Sequence, residues 1–472
     1  MSIKSLGKES LIYGTGHVLA RLVTFFLLPI YTHVFTPEEY GIISLAYAFI
    51  GIALMVYRYG MDTALMKYTV QLNDIEKTTH ISTIYLLQLI SSVIFSGSLC
   101  LLSDQVSEII LGVVKPEWIM ILSGILFLDN LWNHHVLLLR AENKPVLYIF
   151  FNIGNVILTM IFNIIFVIKW GLGIEGVLIS NLIASGFIFI TSMPIVIKRI
   201  KLLQVRSGVV KNILRFALPF LPAGIFTMIM ELSNRYMLEW FEGTYAVGLF
   251  SAGYKLGIFG LIVVMGFNMG WTPYFLKRIK EKDAKLDFSS IASLFLGFLG
   301  FVVVVISLWS SDIVRFNIGP YHLIGSNYWD AEKIIPIVLI GYFFFGTYVI
   351  QLPGVYSKKI TSWVPIFRAI GALTNIFLNI FLIPKYGIIG SAFATAIAFL
   401  LMSLSVYIKL YKIYYIRYNW LALCYPLFFI GLTFLSFNTL GFRLAITVSY
   451  LCGWYYLALN NNERLTIKGL LS

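Results

Sequence analysis

A basic residue, Arg21, lies in the middle of an apolar stretch that runs from Ser10 to Phe35. The stretch is long enough to cross a bilayer, which takes about 20 residues. An arginine keeps its charge, and a charge at that depth costs about 3 kcal/mol or more unless it faces water or protein. Four further cations fall within apolar segments, and Lys255 is the deepest of them. They are Arg58, Arg235, Lys255 and Arg368. This placement predicts a site for an anionic ligand.

Three of these cations have a titratable residue four positions away, which puts both side chains on one helix face. His17 precedes Arg21, and a histidine titrates near neutral pH. The pair is interpreted as lining a cavity, with the alternative that Arg21 pairs with an acid on a neighbouring helix. Arg58 precedes Asp62 in the same spacing. That spacing predicts a salt bridge, and Asp62 is also a candidate ion-coupling site.

A second acidic and basic stripe follows later in the chain, at Glu231, Arg235 and Glu239. Its i, i+4, i+8 spacing predicts that the charges neutralise one another. Glu231 is the deepest acid of the stripe, which makes it a candidate for proton exchange. Arg368 lies about two turns into its segment. Arg368 either receives an anionic group or extends its side chain to the membrane surface.

The fourth apolar segment carries a run of polar residues that suits sugar hydroxyl groups. Asp129 and Asn133 form one i, i+4 stripe, and Asn130 and His134 form an adjacent one. His134 and His135 point about 100° apart on a helix. The sequence therefore predicts no two-histidine metal site, and no cofactor.

The elements that position these residues are long apolar helices. The chain is 59% hydrophobic and only 12% charged, whereas soluble domains carry about 25% charged residues. This composition predicts an all-α polytopic membrane protein with about 14 transmembrane helices. The net charge of +13 comes from basic residues at helix ends, which argues against nucleic-acid binding. The predicted segments are 10–35, 41–65, 79–102, 117–139, 146–168, 174–197, 213–238, 245–271, 288–309, 333–356, 362–383, 388–409, 418–437 and 440–459.

The loop charges predict the orientation of these segments. Lys and Arg concentrate in alternate loops, most densely at 198–211 and 277–285. Basic loops stay on the cytoplasmic side, so both termini are expected in the cytoplasm. The longest outer loop, about 310–332, is expected to form no folded domain.

An internal repeat predicts how the segments are grouped. Residues 163–171 resemble 379–387, and residues 41–47 resemble 248–254. A repeated six-helix unit keeps its orientation, which predicts two lobes related by a pseudo-twofold axis along the membrane normal. The predicted division is an N-terminal lobe at 1–197, a cytoplasmic linker at 198–212, a C-terminal lobe at 213–410, and two further helices with a tail at 411–472.

Three stretches, 37–50, 327–344 and 375–399, resemble polysaccharide flippases of the multidrug/oligosaccharidyl-lipid/polysaccharide exporter superfamily. The resemblance implies a transporter of the bacterial cytoplasmic membrane rather than an enzyme. It also implies a substrate, an undecaprenyl-diphosphate-linked oligosaccharide repeat unit of O-antigen, capsule or exopolysaccharide. The implied mechanism is alternating access between lobes. The implied protein partners are a polysaccharide polymerase and chain-length machinery.

Three other functions stay open at this point. A proton- or cation-coupled drug exporter of the same superfamily is expected to have a deep acidic site. A membrane polymerase or ligase is expected to carry external catalytic loops. A non-transporting scaffold leaves the buried cations without a role.

Overall fold

The computed structural model describes residues 25–201, 205–435, 439–461 and 463–464. Helices dominate these residues, which confirms the prediction of an all-α polytopic fold. By length and composition, eight helices of the described part suffice to cross a membrane, or up to ten if each of two bent helix pairs forms one span. The chain is therefore a multi-pass membrane protein.

The described chain up to Gly248 forms one compact unit, called here the first unit. Its helices pack against chain neighbours and also against helices farther along the chain. They are α1 (Phe25–Val34), α2 (Pro37–Arg58), α3 (Met61–Gln71), α4 (Asp74–Leu101), α5 (Ser103–Leu111), α6 (Pro116–Ala141), α7 (Pro145–Asn163, continued by a π-helix at Ile164–Lys169), α8 (Gly173–Ile197), α9 (Ser207–Ala217) and α10 (Phe220–Glu242).

The second unit begins at Leu249, inside the next helix. Its helices are α11 (Thr244–Arg278), α12 (Ala284–Leu308), α13 (Ser310–Val314), α14 (Ile335–Val349), α15 (Leu352–Ser357), α16 (Val364–Ile413), α17 (Trp420–Leu432) and α18 (Leu440–Gly453, continued by a π-helix at Trp454–Ala458).

Each predicted segment has its helix in the described chain, the first only from Phe25 onward. Predicted segments 11 and 12 are both in α16, which breaks at Gly387 with φ 52° and ψ −132°. The segment 310–332, which was predicted to be an outer loop, contains short ordered elements. It contains α13, a two-residue hairpin pairing Asn317 with His322, and a 3-10 helix at Ser326–Ile334.

The start of α2 shows how local sequence sets a helix end. The Thr36 hydroxyl accepts a hydrogen bond from the Glu39 amide at 3.3 Å. The Glu39 carboxylate accepts one in return from the Thr36 amide at 2.9 Å. Pro37 occupies the first turn, where its missing amide hydrogen costs nothing. This capping box fixes the residue at which α2 begins.

Equivalent positions of the predicted repeat have the same local geometry. Asn163 and Asn379 are both fully buried. Each amide donates to the carbonyl four residues earlier, Asn163 at 2.8 Å and Asn379 at 2.9 Å. Gly171 and Gly387 both have positive φ, at 67° and 52°. At these two pairs of positions the local backbone geometry is therefore similar.

A second repeat pair, Gly41 and Gly248, meets in a reciprocal contact at the starts of α2 and α11. A Cβ on Gly41 would lie 2.0 Å from the Thr244 carbonyl oxygen. A Cβ on Gly248 would lie 1.9 Å from the Pro37 carbonyl oxygen. Pro37 and Thr244 are themselves equivalent under the 207-residue offset. Only glycine permits this approach of two backbones.

The first unit includes α10, which was expected to open the C-terminal lobe. The Tyr236 hydroxyl on α10 donates to the Leu45 carbonyl of α2 at 3.1 Å. The expected linker 198–212 leads into α9, where Ile213 and Ala217 are buried against α3 and α4. The division at 197, 213 and 410 stays a prediction.

Candidate functional site

A break between α2 and α3 positions the first group of polar residues. Tyr59 and Gly60 have positive φ, at 29° and 80°. A Cβ on Gly60 would lie 2.0 Å from the Ala217 carbonyl oxygen, so both backbone shape and space require glycine here. The break frees the Arg58 carbonyl, which accepts a hydrogen bond from the Gln88 amide at 3.1 Å. A side chain thus replaces the lost helix bond.

Arg58 and Asp62 face each other across this break. Their side chains form the predicted ion pair, at 3.5 Å, and remain 25% and 31% exposed. The expectation of one continuous helix is wrong, because Arg58 ends α2 and Asp62 lies in the first turn of α3. Each charge therefore also suits the dipole of its own helix end. The pair is accessible enough for a ligand to reach.

Helix α6 adds two side chains to this pair. The Asn133 amide donates to both Asp62 carboxylate oxygens, at 3.2 and 3.3 Å. The Nε2 of His134 lies 4.0 Å from an Asp62 oxygen. The Nδ1 of His134 lies 3.0 Å from the Asn130 carbonyl. The structure therefore brings four of the predicted site residues together: Arg58, Asp62, Asn133 and His134.

Asn130 lies behind this group, inside the unit. It is fully buried, and its amide donates to Gln88 at 2.5 Å and to the Ser92 hydroxyl at 2.8 Å. His134 is only 2% exposed. Of the stripes interpreted as sugar contacts, Asn130 and His134 therefore face protein in this structure. The sequence analysis missed Gln88 and Ser92, although isolated polar residues in an apolar segment were the signal for them.

Asp129 belongs to a separate polar group of the first unit. Its carboxylate accepts hydrogen bonds from the Trp132 indole at 2.8 Å and from the Ser185 hydroxyl of α8 at 2.5 Å. Ser185 is fully buried and was not among the predicted site residues. These donors hold a carboxylate in an apolar setting, since an unpaired charge there is costly.

The remaining predicted cations lie half-buried in their helices. Arg235 donates to the Glu231 carbonyl oxygen at 3.1 Å, within the predicted stripe of α10. Lys255 lies on α11 of the second unit. Arg368, also of the second unit, hydrogen-bonds the Tyr348 hydroxyl. Each is placed within a long apolar helix, as the sequence predicted.

Two predicted site residues, His17 and Arg21, lie outside the described residues. Their placement stays a prediction. Within the described ranges, no group of three or more His, Cys, Asp or Glu side chains is arranged to hold a metal ion.

The second unit contains a neutral polar cluster on α16. The Asn375 amide donates to the Thr395 hydroxyl at 3.2 Å, and the Asn379 amide donates to the Asn375 side-chain oxygen at 3.0 Å. Thr395 in turn donates to the Ser391 carbonyl at 3.1 Å. None of these residues was among the predicted site residues, because single amides in apolar runs carry no charge signal.

Comparison with known proteins gives a family for this architecture. Residues 6–278 match the family model described as "Polysaccharide biosynthesis protein". The "Lsg locus putative protein 1" of Haemophilus influenzae is 24% identical over 406 residues, which cover 81% of this chain and 94% of that protein.

Solved structures give the fold. The lipid II flippase MurJ, in an inward closed conformation, superimposes with a TM-score of 0.75 at 17% identity, covering 98% of this chain and 99% of MurJ. An inward-facing multidrug resistance MATE family transporter of the MOP superfamily gives 0.59 at 14% identity, covering 92% and 96%. The chain therefore has the fold of this superfamily, as the sequence resemblance implied.

Proposed function

The chain belongs to the polysaccharide biosynthesis protein family, and on that premise we propose that it is a flippase for undecaprenyl-diphosphate-linked oligosaccharide repeat units. The substrate moves from the cytoplasmic to the outer leaflet of a bacterial cytoplasmic membrane. Both termini face the cytoplasm, and a polysaccharide polymerase with its chain-length machinery receives the product.

One observation carries this proposal: cations are retained within apolar helices. Arg58, Arg235, Lys255 and Arg368 are all partly buried there. Such charges are costly in a membrane unless they face water, protein or a ligand. A diphosphate supplies the opposite charge and accepts several hydrogen bonds from guanidinium and ammonium groups. Arg21 belongs to the same proposed set.

The mechanism follows from this charge. In the unloaded state the cations repel one another, which favours an open site. A bound diphosphate neutralises them and favours closure and reopening on the other side. Asn133 and Asp129 contact the sugars, with Asn130 and His134 behind them. His17, Asp62 and Glu231 are the candidates for coupling to an ion.

The test is replacement of the two deepest cations, by Arg21→Ala and Lys255→Ala, in the bacterium that carries the gene. We expect loss of surface polysaccharide and accumulation of the lipid-linked intermediate, with the variants still present in the membrane. Lys385→Ala is the matched control, because Lys385 is an exposed lysine on α16 of the second unit. Normal polysaccharide from both test variants contradicts the proposal.

A drug exporter is the second candidate, because acids as well as cations lie inside the first unit. Asp62 and Asp129 are both held there by hydrogen bonds from protein groups. Drug-susceptibility testing of a deletion strain separates the two functions. An exporter predicts increased susceptibility with intact surface polysaccharide, and a flippase predicts the reverse.

A further inference from the structure

The first unit contains a buried histidine whose free nitrogen faces a carboxylate. The His134 Nδ1 contacts the Asn130 carbonyl at 3.0 Å. A carbonyl only accepts, so Nδ1 carries the hydrogen. In a neutral ring Nε2 then presents a lone pair. Nε2 has no hydrogen-bond partner within the described part of the chain, and it lies 4.0 Å from Asp62 Oδ1. Two acceptors therefore face each other.

In this structure the negative charge of Asp62 is paired with Arg58 rather than with His134. The Arg58 guanidinium lies 3.5 Å from Asp62 Oδ2, and Asn133 donates to both carboxylate oxygens. The Nε of Arg58 is buried and has no hydrogen-bond partner among the described residues, so Asp62 does not satisfy the whole guanidinium. A quarter of the Arg58 side chain is exposed. Arg58 thus pairs with Asp62 and keeps an exposed part that an anion can approach.

We propose that His134 and Asp62 form a proton-binding site whose occupancy is linked to anion binding at Arg58. An anion that engages Arg58 weakens its hold on Asp62. A hydronium ion then transfers its proton to the Nε2 lone pair of His134: one O–H bond breaks, one N–H bond forms, and a water molecule is left. The imidazolium replaces Arg58 as the cation facing Asp62. Loss of the anion reverses both steps.

The other ionisable groups near His134 are held by different partners. Asp129, on the same helix, accepts from Trp132 and Ser185. His135 contacts the Tyr85 hydroxyl of α4 at 3.1 Å and the Ser192 hydroxyl of α8 at 2.8 Å. From α2 and α3 the charges facing His134 are Arg58 and Asp62.

This inference rests on the proposed function, because it assumes that Arg58 binds the diphosphate. Thermodynamic linkage fixes the direction of the pH dependence. If anion binding takes up a proton, the affinity for the anion rises as the pH falls. One linked proton changes affinity by up to about tenfold per pH unit.

The experiment measures proton uptake on binding of inorganic pyrophosphate to the purified full chain in lipid nanodiscs. Calorimetric titration in two buffers of different ionisation enthalpy gives the number of protons taken up per pyrophosphate. Comparison with variants in the same buffers removes the contribution of pyrophosphate itself. The variants are His134→Asn, which keeps a donor for the Asn130 carbonyl, and Asp62→Asn.

His80→Asn is the matched control. The Nδ1 of half-buried His80 makes the same contact with the carbonyl four residues earlier, Glu76, at 2.8 Å. We expect His80→Asn to match the unaltered chain. We expect His134→Asn and Asp62→Asn each to take up fewer protons, by up to about one, while still binding pyrophosphate.

Equal proton uptake by the unaltered chain and by both test variants, with pyrophosphate bound, overturns this inference and leaves the flippase proposal standing. Absence of pyrophosphate binding to the unaltered chain overturns this inference and also removes the anion site on which the flippase proposal depends. If His134→Asn fails to fold, proton uptake by Asp62→Asn alone decides the outcome: uptake equal to that of the unaltered chain overturns the inference.

Discussion

The two copies of the repeat share a buried asparagine and a glycine with positive φ, but the polar side chains around them differ. Asn163 in the first unit accepts a hydrogen bond from the Tyr31 hydroxyl at 2.8 Å. Its equivalent, Asn379 in the second unit, donates to Asn375, and the neighbouring donors and acceptors are amides and hydroxyls. The interior of the first unit adds ionisable groups, among them Asp62, Asp129 and His134.

This difference shows which features the duplicated backbone requires. The buried asparagine and the glycine eight residues later recur in both copies, because they shape and satisfy a broken helix. The charged groups do not recur at equivalent positions. Charges inside a membrane protein need partners, and several of those partners here lie on other helices, as Asn133 does for Asp62.

The largest expected effect tests the reciprocal glycine contact. Gly41→Ala and Gly248→Ala each force two backbones apart, and we expect each to lower the free energy of unfolding by about 3 kcal/mol. Denaturation in detergent, followed by circular dichroism, measures it. The control is Gly97→Ala in α4, where a Cβ meets nothing within 4 Å. Alanine there adds helix propensity of about 1 kcal/mol. Unequal losses at Gly41 and Gly248 contradict the equivalence of the two positions.

The next largest effect is expected from a comparison of the hydrogen bonds of Asn163 and Asn379. Asn163→Ala leaves the buried Tyr31 hydroxyl without this acceptor, and we expect a loss of about 2 kcal/mol. A double-mutant cycle with Tyr31→Phe is expected to give a coupling energy of about 0.5–2 kcal/mol. The matched cycle in the second unit combines Asn379→Ala with Asn375→Ala. No coupling between Asn163 and Tyr31 in unfolding measurements rules out the described bond.

The smallest effect concerns an ion pair outside the spanning helices of the first unit. Arg199 donates to the Glu142 carboxylate and, together with Lys144, lowers the pKa of Glu142 to about 2. Unfolded, Glu142 titrates near 4.3. The ionised Glu142 carboxylate therefore contributes to the free energy of unfolding above about pH 4.3, and this contribution is lost as the pH falls towards 2.

Allowing for solvent screening, we expect Glu142→Gln to cost about 1–2 kcal/mol at neutral pH. The cost is expected to disappear near pH 2, as measured by unfolding at a series of pH values. Asp287→Asn is the second-unit counterpart, since Asp287 pairs with Arg278 at the end of α11 in a more exposed setting. A smaller cost is expected there. A cost at Glu142 that does not change with pH excludes the ion pair as its source.

The sequence by itself determined the helical membrane fold, the position of each apolar segment and the register of the repeat. Those features follow from local composition, because a bilayer requires long apolar helices and a duplication preserves spacing. The i, i+4 spacing also predicted the pair of Arg58 and Asp62, though not the break between them.

Only the tertiary structure decided which polar groups meet. Asn133 and His134 reach Asp62 from a helix 71 and 72 residues along the chain. Gln88 replaces the helix bond lost at Arg58. The Tyr236 hydroxyl of α10 meets the Leu45 carbonyl of α2, 191 residues earlier in the chain. Helix packing sets these contacts, and no local pattern in the sequence encodes which faces come together.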